Sequence, residues 1–277
     1  MRRQTITIEG RSLEATRWGP EIGLTLVLLH EGLGCVALWR DTPQRLTDAT
    51  RLAIFAYSRF GYGQSDAAHL PRPLDYMTRE ALDVLPRVLD EAGITDCVLV
   101  GHSDGASIAA INAGGIQDAR VHGLVLIAPH FFTEPMQLKE IAQAKIAYET
   151  GDLRERMRRY HRKVDTAFRG WNDAWLDPRF PTAFNLVERI AHVRVPILAI
   201  QGEADPYGTR TQVDIIGREA CCPVETHILP GIGHSPHLEA PETVVPLIAH
   251  FVRHVATMER LGGDSAAVPP ARSNKGR

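Results

Sequence analysis

Gly101-His102-Ser103-Asp104-Gly105 sets a serine between two glycines where the apolar run Cys97-Val98-Leu99-Val100 gives way to Ala106-Ser107-Ile108-Ala109-Ala110-Ile111, a stretch that can form a helix. This is G-x-S-x-G at a strand-to-helix turn, a nucleophile elbow. A turn that sharp holds the serine in a strained conformation with its hydroxyl exposed. Glycines at 101 and 105 leave room for the backbone to close on itself. The turn also puts the N–H of Asp104 at a helix N-terminus, where unpaired donors and the helix dipole favour developing negative charge. The chemistry implied is attack of a hydroxyl on an electrophilic carbon.

A serine hydroxyl is a weak nucleophile at neutral pH and needs a base, oriented by a third group. Of twelve histidines, His234 has the best setting. It follows the strand-like run Val224 to Leu229, sits in a loop flexed by Gly231 and Gly233, and precedes a helix expected from Pro241 to Val255. His237 is the runner-up. His30 ends a strand, His102 is expected to project away from the serine, and His130 follows Leu124 to Ala128 as a pocket-lining candidate. The orienting acid is expected at Asp205, in Gly202-Glu203-Ala204-Asp205-Pro206 directly after Leu198-Ala199-Ile200. Pro206 stiffens that turn; Glu203 is the alternative. Glu31 and Asp104 set two more carboxyl groups beside the site. If either faced the pocket it would repel anionic groups or bind a cationic or hydroxylated substrate, although a helix-start role is the plainer account of Asp104.

These residues need a scaffold that brings distant loops to one edge. Gln4 to Glu9 and Leu13 to Arg17 alternate in character and read as an antiparallel hairpin. Short continuous apolar runs follow at Leu24 to Leu29, Leu52 to Tyr57, Cys97 to Val100, Leu124 to Ala128 and Ile197 to Ile200. Runs apolar on both faces suit a parallel sheet covered by helices on each side, and helical stretches such as Asp75 to Glu91 and Gly105 to Ala113 alternate with them. The pattern predicts an α/β fold with a mostly parallel central sheet and right-handed crossovers.

Between Pro129 and Pro196 more than sixty residues lack a strong strand signal. They hold two polar-rich helical stretches, Met136 to Thr150 and Leu153 to Phe168, and then Trp171, Trp175 and Pro178. A loop that long without secondary structure would be unusual, so a helical cap over the sheet edge is expected. The division is therefore residues 1–132 and 192–257 as core, 133–191 as cap, and 258–277 as a disordered tail.

The order Ser103, Asp205, His234 resembles the nucleophile-acid-histidine order of α/β-hydrolases, and the resemblance covers nearly the whole chain. His30-Glu31-Gly32-Leu33-Gly34 with Trp39 is similar to that family's first oxyanion turn, although many members carry His-Gly where this chain has His30-Glu31. Ser58-Arg59-Phe60-Gly61-Tyr62-Gly63-Gln64-Ser65 resembles its D-x-R-G-x-G-x-S loop, with Ser58 in place of the aspartate. Gly233-His234 followed by Glu239-Ala240-Pro241-Glu242 resembles its histidine loop. The resemblance implies a serine hydrolase in which Asp104 and either Gly32 or Leu33 supply oxyanion N–H groups. The leading expectation is hydrolysis of a small carboxylic ester or thioester through an acyl-enzyme. Carbon–carbon hydrolysis of a diketone-like substrate is the alternative, followed by cofactor-free haloperoxidase-like or acyl-transfer activity, or a non-catalytic binding protein on the same fold. Glu31, His130, Tyr207, Trp171, Trp175, Phe131 and Phe132 are the pocket candidates.

Composition bounds the partners. The 277 residues are 44% hydrophobic and 23% charged, with a net charge of −2. Neither a nucleic-acid footprint nor attraction to anionic membranes is implied, and no apolar run approaches the length of a membrane span. Four cysteines without a C-x-x-C pair point to thiols in a reducing compartment. The start alternates like a strand rather than like a signal peptide, so a cytoplasmic protein is expected. No dinucleotide fingerprint, Walker loop or metal-ligand spacing is present, and no cofactor or metal is expected. Oligomeric state is left open.

Overall fold

A computed structural model of the chain describes residues 1–265. Among the described residues eight strands form one sheet: β1 (Arg2–Ile8), β2 (Arg11–Trp18), β3 (Thr25–Leu29), β4 (Ala53–Tyr57), β5 (Cys97–His102), β6 (Val121–Ile127), β7 (Ile197–Gly202) and β8 (Val224–Leu229). Their order across the sheet is β1-β2-β4-β3-β5-β6-β7-β8. The opening hairpin is antiparallel and joins β4 antiparallel, and every pairing from β4 to β8 is parallel. β3, β4, β5 and β7 are buried along their full lengths, as their unbroken apolar runs require of strands covered on both faces.

Because side chains alternate along a strand, each run feeds two cores. Leu26, Leu28, Ile54, Val98, Val100, Val125 and Ile127 pack on one face with Leu46 of α1 (Thr42–Thr50) and with Val244, Ile248, Phe251 and Val252 of the closing helix. Val27, Leu29, Phe55, Leu99, Leu124 and Leu126 pack on the other face.

That second face carries α2 (Tyr76–Arg79) and α3 (Leu85–Glu91), joined by a π-helical turn at Glu80–Val84, and α4 (Asp104–Gly115). Pro86 has no N–H to donate, and the widened turn just ahead of it absorbs that loss. Asn112 of α4 donates to the Ala81 carbonyl in this turn at 2.9 Å.

The long interval between β6 and β7 is helical, as expected: α5 (Pro135–Thr150), α6 (Leu153–Arg158), α7 (Val164–Trp175), α8 (Phe180–Ala183) and α9 (Val187–Ile190). One expectation is corrected here. The stretch Leu153 to Phe168 is two helices, because the chain turns inward at His161, which is buried and bonded to loops of the core. The rest is α10 (Thr211–Glu219), α11 (Pro236–Glu239) and α12 (Pro241–Ser265). A second correction falls on α12, which passes Val255 and takes in 258–265 of the segment read as a tail. Ala256 to Leu261 contains no glycine or proline to stop it. The remainder of that segment, 266–277, lies outside the described residues.

Candidate active site

The functional candidates come together at the carboxyl ends of β3, β5, β6, β7 and β8. Ser103 follows β5 directly and has φ +53° and ψ −119°. A non-glycine residue at positive φ is costly and persists only when its surroundings impose it. They do so here: a Cβ built on Gly105 would overlap the Leu29 carbonyl of β3, and one on Gly101 would overlap the backbone of Gly105 and Ala106. The glycines therefore let the elbow pack against the neighbouring strand. Ser103 N–H donates to the Ile127 carbonyl at 2.9 Å. Its hydroxyl makes no hydrogen bond with another described residue.

Asp205, in the loop after β7, is buried and accepts three hydrogen bonds. His234 Nδ1–H donates to Oδ2 at 2.8 Å, Gln201 Nε2 donates to the same oxygen at 2.8 Å, and Tyr207 N–H donates to Oδ1 at 2.7 Å. Burial by itself would raise the carboxyl pKa; these partners, His234 foremost, outweigh it and hold the group below the usual carboxylate range. With Nδ1 committed to Asp205, the His234 ring presents Nε2 as its free basic nitrogen. Glu203 is exposed and His237 packs its ring on Trp39 and His102, so neither alternative joins this pair.

The His234 ring is enclosed by other rings. His130 stacks on it with centroids 5.6 Å apart at 17°, Tyr207 lies 4.8 Å away and His102 5.0 Å. His130 is buried and its pKa is pushed down to about 3, first by burial and then by repulsion from His234, so it is neutral at physiological pH. Trp171 of α7 packs its indole Nε1 edge against Gly32, where any Cβ would overlap it. Trp175 reaches these rings edge-on at His130, with centroids 5.8 Å apart, while its Nε1–H donates to Tyr76 Oη at 3.0 Å and its ring packs on Phe180 and Phe184 in the cap core. Phe131 is likewise core, fully buried, and Phe132 packs against that core from a half-buried position. A separate cleft of about 590 Å³, lined by Arg72, Arg79, Arg169 and Asp173 among others, includes none of the residues around Ser103.

Both extra carboxyl groups lie against side chains of the protein. The Asp104 side chain is buried and accepts from Tyr76 Oη at 2.5 Å, and burial raises its pKa against the opposing pull of Arg59. The Glu31 side chain folds back over Gly34, toward His102. The turn after β3 is fixed from beneath by Arg59, whose guanidinium donates to the carbonyls of His30 and Glu31. From above it is fixed by His161, which donates to the Leu33 carbonyl at 3.0 Å. The N–H groups of Gly32, Leu33 and Asp104 carry no hydrogen bond among the described residues. Ser58 donates to the Glu14 carboxylate of β2 at 2.7 Å and accepts from Val36 N–H at 2.9 Å. Glu14 thus brings a carboxylate to the loop position where the resembled family carries aspartate.

Sequence reasoning missed Gln201, His161 and Tyr76. Gln201 alone had a readable signal, a polar residue ending an apolar strand four positions before the acid.

The fold and this arrangement agree with what the chain matches. The alpha/beta hydrolase family model covers residues 26–247. The chain belongs to the alpha/beta hydrolase family and is a hydrolase. Among solved structures it is similar to a carboxylesterase of the ammonia-oxidizing thaumarchaeon Nitrososphaera gargenis, with 19% identity, 92% of this chain and 99% of that chain covered, and a TM-score of 0.74. It is also similar to the enol-lactonase of Burkholderia xenovorans, with 17% identity, 90% and 100% coverage, and a TM-score of 0.69. The meta-cleavage product hydrolase of Pseudomonas fluorescens aligns with 17% identity, 91% and 97% coverage, and a TM-score of 0.70. No curated protein matches the chain significantly. Among the described residues no helix is long and apolar enough to cross a membrane.

Proposed function

We propose that this hydrolase cleaves a carboxylic ester or thioester of a small molecule, with Ser103 as nucleophile, His234 as general base and Asp205 as the orienting acid. Ser103 Oγ attacks the acyl carbon while His234 Nε2 takes its proton, and the oxyanion forms against the N–H groups of Asp104 and of Gly32 or Leu33. Collapse expels the alcohol or thiol, which receives the proton from His234, and leaves an acyl-serine. Water, deprotonated by the same imidazole, then releases the acid and restores Ser103. The observation that carries this reading is the 2.8 Å bond from His234 Nδ1 to a buried, ionised Asp205, on the loop next to a serine held at positive φ.

Carbon–carbon hydrolysis would use the same three residues, and substrate choice separates the two. In the cap, Trp171 stands over the oxyanion turn, which supports a role for it in specificity. No disulfide joins the cysteines, which suits a reducing cytoplasm.

The test is stopped-flow kinetics on a panel of p-nitrophenyl esters, acyl thioesters and a vinylogous diketone. A burst of leaving group, one per active site and absent in Ser103→Ala, is the expected result. Turnover retained by Ser103→Ala would overturn the assignment; turnover of the diketone alone would select the carbon–carbon reading.

A further inference from the structure

His234 is carried on a loop that should wander. It is partly exposed, with Gly231 at φ +69° and Gly233 just before the histidine. The Glu239 carboxylate holds it from the chain's own next turn, accepting from Gly233 N–H and Ser235 N–H at 2.8 Å each. The Ile232 carbonyl accepts from Ala204 N–H at 2.9 Å. These bonds tie the loop to itself and to the loop of Asp205. The tie to the nucleophile's own segment is different: His102 Nε2 donates to the backbone carbonyl of His234 at 2.7 Å. His102 immediately precedes Ser103, so this bond sets the separation of nucleophile and base.

The ring that makes the bond is itself confined. His102 is 3% exposed, with the rings of His234 and His237 at 5.0 and 4.7 Å. Its other nitrogen, Nδ1, lies 3.8 Å from Glu31 Oε2. Glu31 stands where many members of the resembled family carry glycine, and its folding over Gly34 brings the carboxylate there. Burial opposes the Glu31 charge, but contact with a protonated His102 ring outweighs it and lowers the Glu31 pKa.

We propose that His102 is a positioning residue for His234, with Glu31 acting through it, so that the oxyanion turn, the nucleophile elbow and the histidine loop share one register. The inference rests on the triad reading above. It accounts for a carboxylate on the oxyanion turn that lies 3.8 Å from the His102 ring. It also accounts for a histidine, rather than an apolar residue, directly before Ser103.

The experiment is steady-state kinetics on a p-nitrophenyl ester, with melting temperature measured alongside, for His102→Leu, His102→Gln, His102→Asn, Glu31→Gln and the double variant Glu31→Gln/His102→Leu. His102→Leu should lower kcat about tenfold or more with KM little changed. His102→Gln, whose amide can reach the carbonyl, should recover most of that loss, and His102→Asn, too short to reach, should not. Glu31→Gln should lower kcat less, and the double variant should be no slower than His102→Leu. Should His102→Leu fail to fold, the Gln-against-Asn comparison decides. Equal kcat for Gln and Asn, a loss confined to KM, or fully additive losses in the double variant would each overturn the proposal. Ser103→Ala in the same assay keeps the two readings apart. If it is inactive while the His102 variants are unaffected, only this inference fails; if it is active, the triad reading fails.

Discussion

His161 of the cap accepts a hydrogen bond from Gly63 N–H at Nδ1 and donates one to the Leu33 carbonyl from Nε2, both at 3.0 Å. One buried imidazole thus clamps the cap's inward bend onto two core loops, one of them the turn after β3 proposed to supply an oxyanion N–H. His161→Leu leaves a carbonyl and an N–H without these partners. At about 1–3 kcal/mol for each unsatisfied buried group, the variant should lose about 2–6 kcal/mol of stability in denaturant titration. It should lose kcat as well, because the oxyanion turn is released.

The pH dependence of stability follows from the same chemistry. Burial lowers the pKa of His30, His130, His161 and His237. Each is then neutral in the folded chain while its unfolded counterpart takes a proton near pH 6.5. The unfolded state binds more protons in that window, so stability present above pH 6.5 falls as the pH drops toward the folded values, about 3 for His130. Each histidine contributes a slope of up to about 1.4 kcal/mol per pH unit. Glu80 and Asp104, whose pKa values burial raises, act in the opposite sense nearer their own range. Urea midpoints measured between pH 8 and 5 should therefore decline, and His130→Asn should flatten the decline; a flat profile for the parent chain would contradict this account.

Asp205→Asn keeps the shape of the acid and removes its charge. Tyr207 N–H can still be accepted, but an amide cannot satisfy both Gln201 Nε2 and His234 Nδ1–H on its remaining side. Loss of an equivalent orienting carboxylate lowers kcat about 10⁴-fold in the serine protease triad. A fall of two to four orders of magnitude in kcat, roughly on that scale, with KM near the parent value, is expected here. Circular dichroism should show the fold intact.

Gly32→Ala should be nearly as damaging by a steric route. The added methyl overlaps the Trp171 indole, so either the oxyanion turn or the cap helix must shift. Displacements of about 1 Å at such a site cost on the order of 10²-fold in rate. Trp171→Leu should restore part of that loss when combined with Gly32→Ala, and an unrelieved double variant would show that the indole is not the obstacle.

Much of this site was legible in the sequence because its signals are local. The glycines at 101 and 105 mark the elbow, and the strand runs leading to Ser103 and Asp205 are apolar and buried along their lengths. The partners of those residues were not legible. His161 is set by tertiary packing between cap and core, and it broke a helix that spacing alone predicts as continuous. The course of the Glu31 side chain depends on Gly34 and on His102, seventy-one positions away, which no local pattern encodes. Trp175 reads as a pocket candidate from its type and place, but its bond to Tyr76 Oη and its edge contact with His130 are tertiary and have no local signal.

The central claim is that Ser103 is a nucleophile activated by His234. Intact-mass and peptide analysis after exposure to a fluorophosphonate tests it directly. The account predicts one phosphonyl group per chain, on the peptide containing Ser103, absent in Ser103→Ala and formed far more slowly in His234→Ala. A folded chain that stays unlabelled, or carries the label on another residue, would contradict it.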